Sequence, residues 1–453
     1  MNRNVLIGEE FFVRGEYGEA LRFFKSVLDV DPQNTRALND AGLVYAELGE
    51  VDKAVEYFEK ALQYDPSFAK AFFNLLDTLI KYNHLDLAAE VYLKYHVNID
   101  DEEKVKYEKI LGNIIYEILS IKLKLEKTVD LGKPKTAENP IKVAFICGSN
   151  TSFIIDLEIA FSARYHVRAY HFSEKVDFRL IQDALDWADV VWFEWADAIL
   201  AQASNTLRKT AAVICRVHRY EVFTNWFERI NWNFVDHLLV TSKHVYDLIK
   251  EKIDLSKFDF LDVSIIPSII NIDKFDFHVK EKGYNIAYLG YLNYRKNPSL
   301  LIQCIKALVE LDKKYKLYIG GIKQNEEIDQ YLTNIIDKLD LKDNVIWCGW
   351  IENVSEWLKD KHYLILPSIH EGNPYCVLEA AACGVKPLVH YFPGSDELYP
   401  NSWLFKTVNE FVDKVINDTY DSFAYRRYAE EKYSFDIYAK GGTNLSLAWI
   451  LKE

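Results

Sequence analysis

The stretch PSIHEGNPYCVLEAAACG, residues 367–384, decides the fold. An apolar run from Tyr363 to Leu366 breaks at Pro367 and gives way to a polar loop holding Glu371, Gly372 and Asn373. From about Pro374 the chain turns Ala-rich and helical, with Glu379 inside the helix. Proline suits a first helical turn, and Gly384 suits a helix C-terminus. Strand, loop and helix N-terminus in that order turn free N–H groups and the positive end of the helix dipole toward the loop, which makes an anion site. Two carboxylates, Glu371 and Glu379, bracket that site. One precedes the helix and the other lies within it, so they do not form a close acid/base pair. They are suited to grip the polyol parts of a ligand whose phosphates lie between them. The plainer reading is a solvated loop Glu and a helix Glu in a surface ion pair.

On either side of this stretch, short apolar runs alternate with helical patterns. Strands are expected at 141–148, 166–172, 189–195, 211–218 and 237–242, and again at 285–292, 316–321, 345–350, 363–367 and 386–392. Alternation of this kind means parallel sheets covered by helices, with ligands beyond the carboxyl ends of the strands. The restart at Gly283 divides the series into two lobes of sufficient length for separate cores.

The order of residues in the opening stretch resembles the E-x7-E signature of retaining GT-B glycosyltransferases of the family-4 type. Glu371 and Glu379 fall on the two acids, and Ala380, Ala382 and Gly384 on the helix. The resemblance covers most of residues 140–453, including IIPSIINIDKF (265–275) at the hinge. It implies an α/β GT-B fold of two facing Rossmann-like domains and a nucleotide-diphospho sugar as co-substrate, with no cofactor. In this reading Glu379 holds the ribose. Glu371, with the backbone near Gly372 and Asn373, holds the hexose. EGNP stands in place of the frequent EGFG, and Pro374 removes one N–H.

In YLGYLNYRKNP (288–298) a glycine-containing loop brings Arg295 and Lys296 before a helix that begins near Pro298. Cations oppose the dipole at a helix N-terminus, so they are either solvated or there to meet a diphosphate. The resemblance favours the diphosphate. Lys296 matches the family's Lys, while Tyr291 stands where Arg often follows the Gly, leaving Arg295 to supply the second cation. His218, in RVHRYE (216–221), ends a strand. A lone His is often structural, but near neutral pH it accepts or shares a proton. The family places a His near here, beside donor sugar and acceptor. Arg216 and Arg219 add charge to the cleft mouth, and Glu221 orients the imidazole or starts the next helix. Gly148, in CGSN (147–150), allows close approach of a phosphate or sugar. Trp350, in CGWIEN (348–353), lies against a nucleobase or packs in the core. No GxGxxG fingerprint supports nicotinamide or flavin binding, and the lone D-x-D, Asp29 and Asp31, lies outside the lobes, so no metal is expected.

The first hundred residues repeat with a period of 34: Gly8 and Gly42; Ala20, Ala54 and Ala88; Phe24, Phe58 and Tyr92; Pro32 and Pro66. Small residues let paired helices approach, aromatics fill the gaps, and Pro ends each unit. This is the tetratricopeptide pattern. The third unit is atypical, with Leu76 for Gly and Asp100 for Pro, as befits a terminal repeat. The expected organisation is tetratricopeptide repeats over 1–102 and a helical cap and linker over 103–135. An acceptor-side Rossmann-like domain over 136–280 and a nucleotide-sugar domain over 281–432 follow, with a returning helix over 433–453.

The chain of 453 residues carries a formal net charge of −14, which argues against broad nucleic-acid binding. No apolar run reaches the roughly 20 residues that span a bilayer, and the N-terminus lacks a signal core. The six cysteines form no C-x-x-C pair. A cytoplasmic glycosyltransferase is expected, acting on a protein or peptide acceptor recruited by the repeats and able to form homo-oligomers. A glycan or lipid-linked acceptor is the alternative within enzymes. A non-catalytic repeat adaptor with degenerate transferase lobes is the alternative outside them.

Overall fold

The computed structural model describes residues 3–99, 119–120, 123, 128–132, 139–148, 151, 154–173, 175–258, 261–324 and 326–434. Most of the expected cap and linker over 103–135, and the expected closing helix over 433–453 from residue 435 on, lie outside the described residues. The chain divides into two compact units, Met1–Val191 and Trp192–Glu453.

Unit one begins with six antiparallel helices in three pairs: α1 (Arg3–Val13), α2 (Tyr17–Val30), α3 (Thr35–Glu47), α4 (Val51–Tyr64), α5 (Ala69–Lys81) and α6 (Leu85–Tyr95). The 34-residue period has a direct steric cause. A Cβ on Gly8 would lie 2.5 Å from the Phe24 ring, and one on Gly42 would lie 2.7 Å from the Phe58 ring. Both rings are fully buried, as are Ala20, Ala54 and Ala88. In the third unit Leu76 itself is buried, and Tyr92 is only half-buried.

The rest of unit one holds β1 (Thr128–Gly132), β2 (Lys142–Cys147), α7 (Ile155–Ser162), β3 (His166–His171) and α8 (Phe178–Trp187). β2 and β3 are parallel, whereas β1 runs antiparallel to β3. β1 falls where a helical cap and linker were expected. Its five residues alternate, with Val129 and Leu131 buried and Thr128 and Asp130 exposed, so it forms a half-covered edge strand.

Strand β4 (Val190–Glu194) carries the boundary between the units. Unit two continues with α9 (Ala198–Thr206), β5 (Ala212–Val217), β6 (His237–Val240), α10 (Lys243–Lys252) and β7 (Asp262–Ile265). The pairs β5–β6 and β6–β7 are parallel. The second sheet has the order β10-β9-β8-β11-β12-β13 and is parallel throughout. Its strands are β8 (Asn285–Leu289), β9 (Lys316–Gly320), β10 (Val345–Gly349), β11 (Tyr363–Leu366), β12 (Lys386–His390) and β13 (Leu404–Phe405). Among its helices are α11 (Pro298–Leu311), α12 (Glu326–Lys338), α13 (Val354–Leu358) and α14 (Tyr375–Ala382). All ten expected strands are present within three residues of their expected bounds. Buried aliphatics from β8, β9, β11 and β12 meet those of α11 and α14 to form the core on the two sheet faces. The strand order reverses between β8 and β11, and a reversal of this kind opens a crevice at the carboxyl ends.

Candidate functional site

The loops that follow β8 and β11 meet at this reversal. After β11 the chain enters the loop 367–373, and the Ile369 N–H donates to the Arg295 carbonyl at 3.0 Å. That bond ties the loop to the segment before α11. Asn293 and Asn297 cap the turn and the helix, Asn297 in the left-handed region at φ +48°. As a result Lys296 and Arg295 both reach Glu371. The Lys296 Nζ donates to Oε1 and the Arg295 Nη1 to Oε2, each at 2.6 Å. Glu371 is 7% exposed. Burial alone would raise its pKa, but the charges of Lys296 and Arg295 outweigh burial and hold the carboxyl below its usual range. Neither solvated basic residues nor a solvated loop Glu describes this cluster.

α14 starts after Pro374 and ends where Gly384 takes φ +75°. Glu379 lies half-buried on it. Asn373 is buried; its Oδ1 accepts from the Tyr399 hydroxyl at 3.3 Å, and its Nδ2 has no hydrogen-bond partner among the described residues. Gly372 sits so close to the β5 loop that a Cβ there would lie 3.1 Å from the His218 carbonyl oxygen. Trp350 follows β10 and is 59% exposed, so it is not a core residue. Its ring lies 5.8 Å from that of Tyr291, also exposed. Gly148 follows β2 in unit one and is buried. Every other candidate belongs to unit two.

At the end of β5, His218 is buried and its Nε2 donates to Glu194 Oε1 at 2.6 Å. Glu194 also accepts from Arg216 Nη2 at 2.8 Å and from Trp192 Nε1 at 3.0 Å. Its burial opposes ionisation, but Arg216 and then His218 hold its carboxyl below the usual range. Arg216 is therefore an interior cation matched to Glu194, not a charge at a cleft mouth. Glu221 is fully buried and accepts from the backbone N–H groups of His218 and Arg219 at 3.1 and 3.0 Å. It fixes the turn; the residue that orients the imidazole is Glu194. Trp195 packs its ring on His218 with centroids 4.2 Å apart, from a backbone at φ +89°. Such a conformation in a bulky residue is strained by about 1–3 kcal/mol and persists only where neighbours enforce it.

Residues 270–410 match the family described as glycosyl transferases group 1. Residues 5–67 and 40–98 match the tetratricopeptide repeat. Over 184 residues the chain is 23% identical to UDP-Gal:alpha-D-GlcNAc-diphosphoundecaprenol alpha-1,3-galactosyltransferase of Escherichia coli, covering 36% of this chain and 46% of that one. Over 165 residues it is 27% identical to tRNA-queuosine alpha-mannosyltransferase of Drosophila melanogaster, covering 35% and 43%. The chain thus spans less than half the length of these relatives. Among solved structures, Anabaena Alr3699/HepE in complex with UDP and glucose is similar at a TM-score of 0.55 and 12% identity, over 69% of this chain and 99% of that one. The lipopolysaccharide outer core galactosyltransferase WaaB, apo form, is similar at a TM-score of 0.51 and 17% identity, over 69% and 100%. The fold is GT-B, with Rossmann-like sheets preceded by tetratricopeptide helices.

Proposed function

We propose that the chain is a retaining glycosyltransferase of the family-4 type, moving a hexose from a nucleoside-diphosphate donor to a hydroxyl acceptor. The observation that carries this reading is the cluster of Lys296, Arg295 and Glu371 at the ends of β8 and β11, inside the span matched to glycosyl transferases group 1. The donor diphosphate takes over Lys296 and Arg295, and Glu371 turns to the hexose hydroxyls. Fixed cations then stabilise the charge that develops as the diphosphate departs, without a metal ion. Glu379 takes the ribose, and Gly372 and Asn373 complete the sugar contacts. Trp350, beside Tyr291, lies against the base. The acceptor hydroxyl comes in beside His218. UDP is the first nucleotide to test, because a similar solved structure holds UDP.

In this reading the repeats recruit a protein acceptor in the cytoplasm. The name of the Escherichia coli relative favours a second acceptor class, a lipid-linked sugar. Among the described residues no helix is long and apolar enough to cross a membrane. Nucleotide release from UDP-, GDP- and ADP-sugars, with Glu371→Ala as control, tests the reaction. Release from one donor, abolished by the substitution, is the expected result. No donor bound and none turned over would overturn the reading and leave an adaptor.

A further inference from the structure

Arg219 follows His218 and belongs to no ion pair that the site already uses. Its guanidinium is half-buried. Nη1 bonds the His370 ring at Nδ1, 3.0 Å away, and Nε is buried with no hydrogen-bond partner among the described residues. Burial and the Arg219 charge together hold the His370 imidazole below its usual pKa, so this partner is neutral. A buried N–H left unsatisfied costs about 1–3 kcal/mol, and more on a charged group. The Phe223 ring, 4.9 Å away, and the Glu371 charge hold the cation in place, but neither meets the Nε donor.

The surroundings say which acceptor. Glu371 and Arg295 are the charges that act on Arg219. A Cβ on Gly372 would lie 3.5 Å from the Arg219 Cβ, so the guanidinium belongs beside the loop 370–372. Three cations, Arg219, Arg295 and Lys296, therefore lie about the Glu371 carboxylate. In the same loop Asn373, 6% exposed, carries a second donor without a partner, Nδ2. Unpaired donors beside clustered cations call for an oxyanion with several acceptor oxygens.

We infer that Arg219 is a further donor-binding residue that grips the terminal phosphate of the nucleoside diphosphate, the one bonded to the sugar. This rests on the function proposed above. The loop beside Arg219 is the sugar end of the site, while Trp350 marks the base end. When the bond between the sugar C1 and the phosphate oxygen breaks, its electron pair stays on that oxygen. The acceptor hydroxyl forms the new bond to C1, and its proton passes to the departing phosphate. Charge grows on the terminal phosphate during this step, so a guanidinium aimed there contributes more to the transition state than to the ground state.

Calorimetry on the full chain with UDP and with UMP tests the assignment, because UMP lacks the terminal phosphate. Arg219→Ala should weaken UDP binding by about 10- to 100-fold, the loss of one charge-assisted hydrogen-bonding group. UMP binding should stay within about twofold, which also reports that the variant is folded. Arg219→Lys should recover part of the UDP affinity. If Arg219→Ala does not fold, Arg219→Gln removes the charge and is read in the same way. Unchanged UDP affinity in the variant, with wild-type protein binding UDP, overturns this assignment alone; so does an equal loss for UDP and UMP. Wild-type protein that binds none of UDP, GDP and ADP overturns the donor reading beneath it.

Discussion

Glu194 and Glu371 are both buried carboxylates facing two basic partners, yet they are built for opposite purposes. Glu194 draws Trp192, Arg216 and His218 from the adjacent strands β4 and β5 and their ends, and the Arg216 side chain is 4% exposed. Each Glu194 oxygen is met by at least one donor, so a ligand has nothing to displace. Glu371 sits on a loop, and its partner Arg295 is 41% exposed. Its two ion pairs can be exchanged for pairs with another anion. Burial lifts both pKa values and cations pull both down, so pKa direction does not separate them. Where the partners sit does: at strand ends for Glu194, on a loop for Glu371. A pair locked between strands orients its members, whereas in the function proposed above a pair held on loops keeps the place of a ligand.

The largest expected effect lies on the locked side. Glu194→Gln leaves Arg216 buried without its counter-charge, which costs about 3–5 kcal/mol. At about 2–4 °C per kcal/mol for a body of this size, the unfolding midpoint should fall by roughly 10 °C. UDP affinity of the folded molecules should persist. The depressed pKa of Glu194 sets the pH window. Its contribution is complete above the unfolded value near 4.3 and is lost as pH falls through the folded value. The gap between wild type and variant should therefore be full at pH 7 and narrow below about pH 4.3. A midpoint unchanged at pH 7 would erase the contrast with Glu371.

On the exchangeable side the signature is kinetic. Glu371→Gln should lower turnover by about 10²–10³-fold, the usual loss when one group facing the reacting centre is removed. It should also tighten UDP binding by about tenfold, since no internal anion competes for Lys296 and Arg295. Calorimetry beside a turnover assay reads both. A loss of UDP affinity would mean that Glu371 supports the cations and does not stand in for the diphosphate.

The residues of the Glu371 cluster stood out in the sequence, though not their pairing with one another, and the Glu194 cluster did not stand out. The E-x7-E stretch, Lys296 and Arg295 lie on loops, where polar residues interrupt apolar runs and mark themselves. Gly384 and Pro374 bounded α14 to within a residue or two. β5, by contrast, is covered on both faces; after Ala212 every residue in it is buried. A strand of that kind has no alternation, so nothing local says where Arg216 points. Glu194 closes the equally buried β4, and its partner His218 is 24 residues away, joined to it by strand pairing. Had the Glu in DVVWFEW been weighed as a charge inside an apolar strand, it would have signalled a buried pair. β1 escaped for a different reason: five alternating residues are too few to stand out beside the longer helical pattern before them.

A third carboxylate asks whether the cation is what matters. Asp197 caps α9, with Oδ1 accepting from the Ile199 N–H at 2.8 Å and the Leu200 N–H at 3.4 Å. Burial pushes its pKa up to about 6, the cap bonds recover only part of that, and no cation is among the groups that act on it. The sign is opposite to that of Glu194. The folded state binds a proton more tightly than the unfolded chain, whose Asp titrates near 3.9, so stability is highest in acid and falls as pH rises through about 6. Two units correspond to about 3 kcal/mol lost by neutral pH, as an upper figure. Asn caps a helix about as well as Asp. Asp197→Asn should therefore raise stability at pH 7 by roughly 1–3 kcal/mol and match wild type near pH 4, as read from urea midpoints. Equal midpoints at both pH values would mean that water already solvates Asp197. The difference between Glu194 and Glu371 would then have to be argued from solvent access.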